Sequence, residues 1–305
     1  MIWLHRYARL LVAATLLLVA AGGMVTSTNS GLSVPDWPTS YGYSMYSFPL
    51  SKMVGGIFYE HGHRLIASTV GFLTIGLVVF VWRVDPRKWM RNLSLIGLGA
   101  VILQGVLGGL TVLYMLPAPI SIGHAGLAQL FFGITVSIAL FTSRSWLESA
   151  VTPVDDAALR SRALGLTIAI YIQILLGATM RHIGAGLAIP DFPLVFGHVI
   201  PPTWTAQIAV HFAHRVWALL VVIWIVANAM YVWRRHRERG ELVRPAIWLV
   251  GLVLVQVTLG ALVVLTAKQP EINTLHVATG AIVLGTSLVV TLRAFRVRFR
   301  ESLQP

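Results

Sequence analysis

Residues 31–42 read GLSVPDWPTSYG, and residues 186–197 read GLAIPDFPLVFG. The two loops stand 155 positions apart, and the likeness spreads outward from them, since Gly22 pairs with Gly177 and Pro35 with Pro190 at the same offset. Further on, HRLIA at His63 matches HRVWA at His214 with an offset of 151. QGVLGGLTVL from Gln104 matches QVTLGALVVL from Gln256 with an offset of 152, which His124 and His276 share. Self-similarity at a long, nearly fixed period marks a duplicated architecture. The chain reads as two halves, 1–150 and 151–305, joined through the polar stretch SAVTPVDDAALRSR.

What each half is made of follows from composition. Hydrophobic residues supply 56% of the chain and charged residues 11%, and the mean hydropathy is +0.77, which sets it apart from soluble domains. A membrane-crossing helix needs about 20 apolar residues. Eight such runs occur, near 10–27, 65–82, 94–116, 122–142, 162–180, 212–233, 246–266 and 276–292. The alternating short strands of a membrane barrel are missing. The fold class expected is an all-α integral membrane protein whose eight transmembrane helices form two four-helix bundles. Four spans per half is an even number, so both halves start on the same side and the repeat is parallel, unlike the inverted repeats of many transporters.

The formal charge of +12 raises the question of nucleic acid. An eight-span path leaves only Lys52, Arg64, Arg181, Arg215 and Lys268 of the 23 basic residues on one side. The other clusters, at Arg6 and Arg9 and within 83–91, 144–162, 234–244 and 293–300, share the opposite side, which the positive-inside rule makes cytoplasmic. The charge is therefore topology and not a nucleic-acid footprint. Both termini are expected in the cytoplasm and the chain in the cell inner membrane, surrounded by lipid. The first span has a basic start and small residues at its end, as signal peptides do. Removing it would leave seven spans and break the charge pattern, so it is read as a retained helix. No cysteine is present, which removes thiolate ligands and thiol catalysis.

Four of the ten histidines stand at matched depths: His63 and His124 in the first half, His214 and His276 in the second. Each lies toward the outer end of an even-numbered helix. Ionisable side chains inside spans are costly and mark function by default. Two imidazoles from different helices of one bundle suit the two axial positions of a heme iron, and the small residues after His124 and His276 admit a flat macrocycle or simply close helix packing. Zinc is the rival, with His182, His198 and His211 as extra ligands in the second half, but the first half has fewer. Two heme sites are the stronger reading. Arg64 and Arg215 follow two of these histidines directly and suit the pairing of a guanidinium with a heme propionate; the alternative is an arginine that snorkels to the interface.

The halves differ at one place that matters. EHGHR in the first becomes HFAHR in the second, so Glu60 aligns with His211. A carboxylate one turn from a heme ligand can act as a base, stabilise a cation or bind a water; an acid in the first turn of a helix is also favoured by the dipole alone.

With GGMVTSTNSGLSVPDWP, EHGHRLIAS and HAGLAQ in the first half, and HFAHRVWAL and LHVATG in the second, the chain resembles the heme A synthase family over nearly its whole length. The resemblance implies a membrane enzyme that oxidises the C8 methyl of heme O to the formyl of heme A for the terminal cytochrome oxidase. It implies that the first half takes heme O as substrate, with His63 and His124 on the iron and Glu60 essential beside it. The second half would hold heme b with His214 and His276 as axial ligands. Heme O synthase and cytochrome oxidase assembly factors are the implied partners, with an electron acceptor still to be identified. Many family members carry a cysteine pair in the outer loop of the first half; this chain has none.

Two other functions fit part of the pattern. A non-catalytic di-heme cytochrome b that takes electrons from quinol explains the histidines but not a carboxylate in one half only. A prenyltransferase needs clustered acids for magnesium and diphosphate, and the only adjacent pair is Asp155 and Asp156 between the halves. Stiffened by proline, the repeated loop itself is expected to be a lid anchored over each heme pocket.

Overall fold

The computed structural model describes residues 1–147 and 153–301, so the expected boundary between 150 and 151 lies outside the described residues. Eight long helices dominate: α1 (Ile2–Ser27), α2 (Gly56–Val84), α3 (Lys88–Leu113), α4 (Ala118–Phe141), α5 (Ala157–His182), α6 (Ala206–His236), α7 (Gly240–Leu265) and α8 (Pro270–Ala294). All eight are long and apolar enough to cross a membrane. Among the described residues there is no strand, only two isolated bridges in the outer loops. Several helices start well before their apolar runs, α2 at Gly56 and not near 65. Hydropathy reports where the hydrocarbon lies, whereas the helical hydrogen bonds continue into the interfacial layer.

In the first half, α1 packs on α2, α2 on α3, α3 on α4, and α4 closes the ring on α1; α5 to α8 repeat this order. Contacts of α1 with α8 and of α4 with α5 and α8 join the halves. Glycines let these inner helices approach. A Cβ at Gly126 would meet Leu175 and the Tyr171 hydroxyl of α5, and one at Gly285 would meet the Phe132 ring at 3.1 Å. At the outer end of this junction Asn273 donates to Ser27 Oγ at 2.8 Å.

Short connections fix the order of the helices. The turns after α3 and α7 use the same device at positions 152 apart: Met115 and Leu116, then Ala267 and Lys268, all have φ between 52° and 65°. In each, a backbone N–H reaches back to the helix at 2.7 Å, Leu116 to Thr111 and Lys268 to Val263. Asp156 caps α5 by accepting the Leu159 N–H at 2.9 Å and also bonds Tyr231 and His236 of α6. Asp155 pairs with Arg160 at 2.6 Å. Asp156 thus ties α5 to α6 and Asp155 is taken up by an arginine of α5, so both acids of the adjacent pair are engaged in structural contacts.

Apolar cores fill the inner part of each bundle, around Leu4, Leu77, Met90 and Ile138 in the first and Leu166, Ile225, Leu249 and Val253 in the second. The opposite end of each bundle is left to the histidines and the repeated loops.

Candidate functional site

His63, His124, His214 and His276 lie six to eight residues into their helices, roughly two turns down from the outer ends. Each imidazole is seated against a glycine of the preceding helix. A Cβ at Gly22, Gly177 or Gly260 would stand 3.0 Å from Cε1 of His63, His214 or His276, and one at Gly108 would stand 3.2 Å from Cε1 of His124. Any side chain there would push the ring aside, so the four glycines fix where the four rings sit. Within each half the two imidazoles come into electrostatic range of one another.

Nδ1 of His63, His124 and His276 is buried without a hydrogen-bond partner. Leaving a buried polar atom unpaired costs about 1–3 kcal/mol, and three such atoms at equivalent places are what a ligand-binding ring left to itself would show. Glutamines attend the rings. Gln104 donates to the His124 carbonyl at 2.9 Å and Gln173 to the His214 carbonyl at 3.1 Å. Gln256 approaches His276 Nε2 at 3.4 Å. The acceptor oxygens of all three glutamines are buried and unpartnered. Among the described residues no three His, Asp or Glu side chains converge, so the ligand set of a tetrahedral zinc site is not assembled.

Near the histidines lie the repeated loops, built alike. In the first, Asp36 accepts from the Tyr41 N–H at 2.7 Å, the Gly42 N–H at 2.9 Å and the Thr39 hydroxyl at 2.6 Å. In the second, Asp191 accepts from the Phe196 and Gly197 N–H groups at 2.8 Å. Tyr41 and Phe196 take positive φ, as do Gly42 and Gly197, and the Trp37-Pro38 and Phe192-Pro193 peptides are cis. Partial burial alone would raise the Asp36 pKa, but the bonds from Gly42, Thr39 and Tyr41 outweigh it and hold the carboxyl at about 2. Asp191 is likewise lowered, by Gly197 and then Phe196.

An arginine ties each loop to its helix. Arg64 donates to the carbonyls of Val34 at 2.7 Å, Asp36 at 2.7 Å and Thr39 at 3.0 Å. Arg215 donates to Ile189 at 3.1 Å and Leu194 at 2.9 Å, the positions 155 after Val34 and Thr39. The residues one turn earlier complete the clamp. Glu60, 3% exposed, pairs with Arg64 at 2.6 Å and accepts the Val34 N–H at 2.8 Å. His211, also 3% exposed, accepts from Arg215 Nε at 3.1 Å through Nε2. Its Nδ1 must then carry the proton, which it gives to the Ala185 carbonyl at 3.0 Å. The Ile189 N–H lies 3.4 Å from that same Nδ1, but a nitrogen that bears the proton cannot accept. Glu60 thus takes the N–H of Val34, whereas His211 leaves the matched Ile189 N–H and gives its proton to the Ala185 carbonyl instead. It stands beyond the first turn of α2, which contains no acid, so its partners and not the helix dipole account for its place.

The family model described as cytochrome oxidase assembly protein matches residues 5–288. The chain belongs to this family. It is similar to the heme A synthase of Symbiobacterium thermophilum, 32% identical over 257 residues that cover 82% of each chain. The heme A synthase of Geobacillus kaustophilus is 28% identical over 96% of this chain and 92% of its own, and that of Shouchella clausii 30% identical over 82% and 83%. Membership in the cytochrome oxidase assembly family covers both pairs of histidines, both loops and both clamps.

Residues beyond the family motifs also emerge from the geometry. Gly22 and Gly177 were visible as a matched pair, but only packing shows that each faces a histidine. Gln104 and Gln256 head the matched QGVLGGL and QVTLGAL segments, whereas Gln173 has Leu18 opposite it and carries no sequence signal. His61 is buried, with Nδ1 3.0 Å from Ser40 Oγ and its ring 4.8 Å from that of Phe48, and so belongs to the lid. His198 lies in the outer loop and His182 ends α5.

Proposed function

We propose that this chain oxidises the C8 methyl group of heme O to the formyl group of heme A in the first half, with the second half holding heme b. The observation that carries the reading is the pairing of symmetric imidazoles with an asymmetric clamp. Both halves offer two half-buried histidines seated on glycines, and only the first sets a carboxylate one turn above its α2 histidine.

The residues present suit a heme in each half. His63 and His124 would take the iron of the substrate, and His214 and His276 that of heme b, whose iron supplies one-electron chemistry when bound. Unpaired buried nitrogens on three of the four rings support this. Glu60 and Arg64 hold the lid over the first pocket and exclude water from it. Among the described residues Glu60 is the carboxylate one turn from an iron-ligand candidate in the first half, and it would be the group to hold a proton there. Arg64 and Arg215 would meet propionates by exchanging one of their loop carbonyls for a carboxylate, which a guanidinium binds more strongly. With the basic clusters on one side, both termini lie in the cytoplasm and the pockets open toward the outer face of the plasma membrane.

The test is to express the chain in cells that make heme O but lack this oxidation, then extract and chromatograph the hemes. Heme A or a hydroxylated precursor is the expected product. Unchanged heme O alongside heme b would instead show a di-heme electron carrier. Glu60→Gln, which keeps an acceptor for the Val34 N–H, separates the two readings, because a carrier keeps its electron transfer without that negative charge.

A further inference from the structure

A groove of about 940 Å³ runs across the junction of the halves, between α1, α4, α7 and α8, in the part of the molecule away from the histidines. Its volume lies at the upper end of what ligand sites span, about 300–1,000 Å³. Leu16, Val136, Leu252 and Ile282 are among its apolar walls, while Ser145, Arg244 and Arg293 gather at the end that the basic clusters place at the cytoplasmic surface. We propose that this groove binds an anionic glycerophospholipid of the cytoplasmic leaflet, with the phosphate between Arg244 and Arg293 and an acyl chain along the apolar walls.

Three observations converge on that occupant. First, the arginines have charge to spare. Arg244 makes no hydrogen bond or ion pair among the described residues. Arg293 donates to Ser145 Oγ at 3.2 Å, yet its buried Nε has no partner. One carboxylate, Glu241, also lines the groove and faces Arg293 electrostatically, but it is held in an ion pair with Arg239 at 2.8 Å, so two guanidinium groups, Arg244 and Arg293, share the mouth with a single carboxylate that is already paired. Second, the fold does not require the opening. At the matched place, 152 positions earlier, Arg244 becomes Asn92, Arg293 becomes Phe141 and Glu241 becomes Trp89. There the rings of Trp89, Phe141, Trp146 and Phe299 pack together, with Phe141 5.0 Å from Trp89, 4.8 Å from Trp146 and 5.2 Å from Phe299. The chain fills one notch with its own aromatics and leaves the other open with two arginines at its rim. Third, the cytoplasmic leaflet carries anionic lipid, and basic pockets between spans on that side recognise its headgroups. A neutral quinone would fit the apolar walls but not the arginines, since its ring oxygens leave the guanidinium charge uncompensated, whereas a phosphodiester offers each a pair of acceptors.

The experiment uses the full chain purified in mild detergent, with bound lipid identified by native mass spectrometry. It is repeated after reconstitution in nanodiscs of phosphatidylglycerol or phosphatidylcholine. The expected result is retention of phosphatidylglycerol over phosphatidylcholine, a higher melting temperature with the former, and retention lowered roughly fivefold for each of Arg244→Ala and Arg293→Ala, the scale of one basic side chain at an anionic surface. Arg244 is exposed and partnerless, so its removal leaves the fold intact even if loss of Arg293 does not, and heme content reports on that. Thr286→Trp, which fills the groove, should expel the lipid. Equal retention of the two lipids, unchanged phosphatidylglycerol binding in Arg244→Ala, or a quinone as the species lost on filling the groove would overturn the proposal.

Discussion

Glu60 and His211 stand at matched positions and do unequal work. The carboxylate compensates a buried guanidinium and takes a backbone N–H of the lid; the imidazole accepts from Arg215 and turns its proton to Ala185. Glu60→Ala leaves Arg64 buried and uncompensated, a defect that costs about 3–5 kcal/mol, whereas His211→Ala leaves unpaired groups worth about 1–3 kcal/mol. Thermal unfolding in detergent should rank the two in that order. Glu60→Gln keeps an acceptor for Val34, so it should unfold closer to the parent while still failing to form heme A, with the heme b spectrum intact. The lid acids give a pH dependence of definite sign. The Asp36 carboxyl, held at about 2 against an ordinary value near 4, stabilises the lid fully above pH 4 and loses that contribution as pH falls through 2. Emission from Trp37, obtained by difference from Trp37→Phe, should be flat from pH 7 to 4 and change only below.

At the scale of the element, each histidine helix is set by the glycine it leans on. Replacing Gly177 or Gly260 with Val forces branched carbons into a ring already 3.0 Å from where a Cβ would be. The pyridine hemochrome of the purified protein should fall severalfold. Gly22→Val and Gly108→Val should leave heme b in place and abolish binding of added heme O. The helices and their matched histidines were legible in the sequence because apolar length and a fixed offset are one-dimensional signals. The clamp was not. EHGHR placed Glu60 near His63, but that the carboxylate reaches 26 residues back to Val34, and that Arg64 spends its donors on carbonyls, depends on how the loop folds onto α2. Gln173 escaped because a lone polar residue without a counterpart has no pattern to belong to.

For the whole molecule, the inner helices α1, α4, α5 and α8 carry the junction while α2, α3, α6 and α7 stand outside it. Eight spans with the basic clusters at one end predict both termini on the cytoplasmic side. Fusion of a fluorescent protein to either terminus should glow, and alkaline phosphatase should be active when inserted in the outer segments 43–54 or 198–204 and inactive when fused to either terminus. The lids also differ from each other in how they rest on the outer helices. The Trp37 indole lies over Gly109, where a Cβ would run into the ring; the second half has the smaller Phe192 and, at the place of Gly109, Ala261. Ring size and helix surface have been altered together. For protein engineering this makes the lid and the third helix of each half a single cassette: a graft that moves residues 31–42 onto the second bundle needs Ala261→Gly with it, and the reverse graft tolerates the native glycine but leaves a gap beneath the phenyl ring.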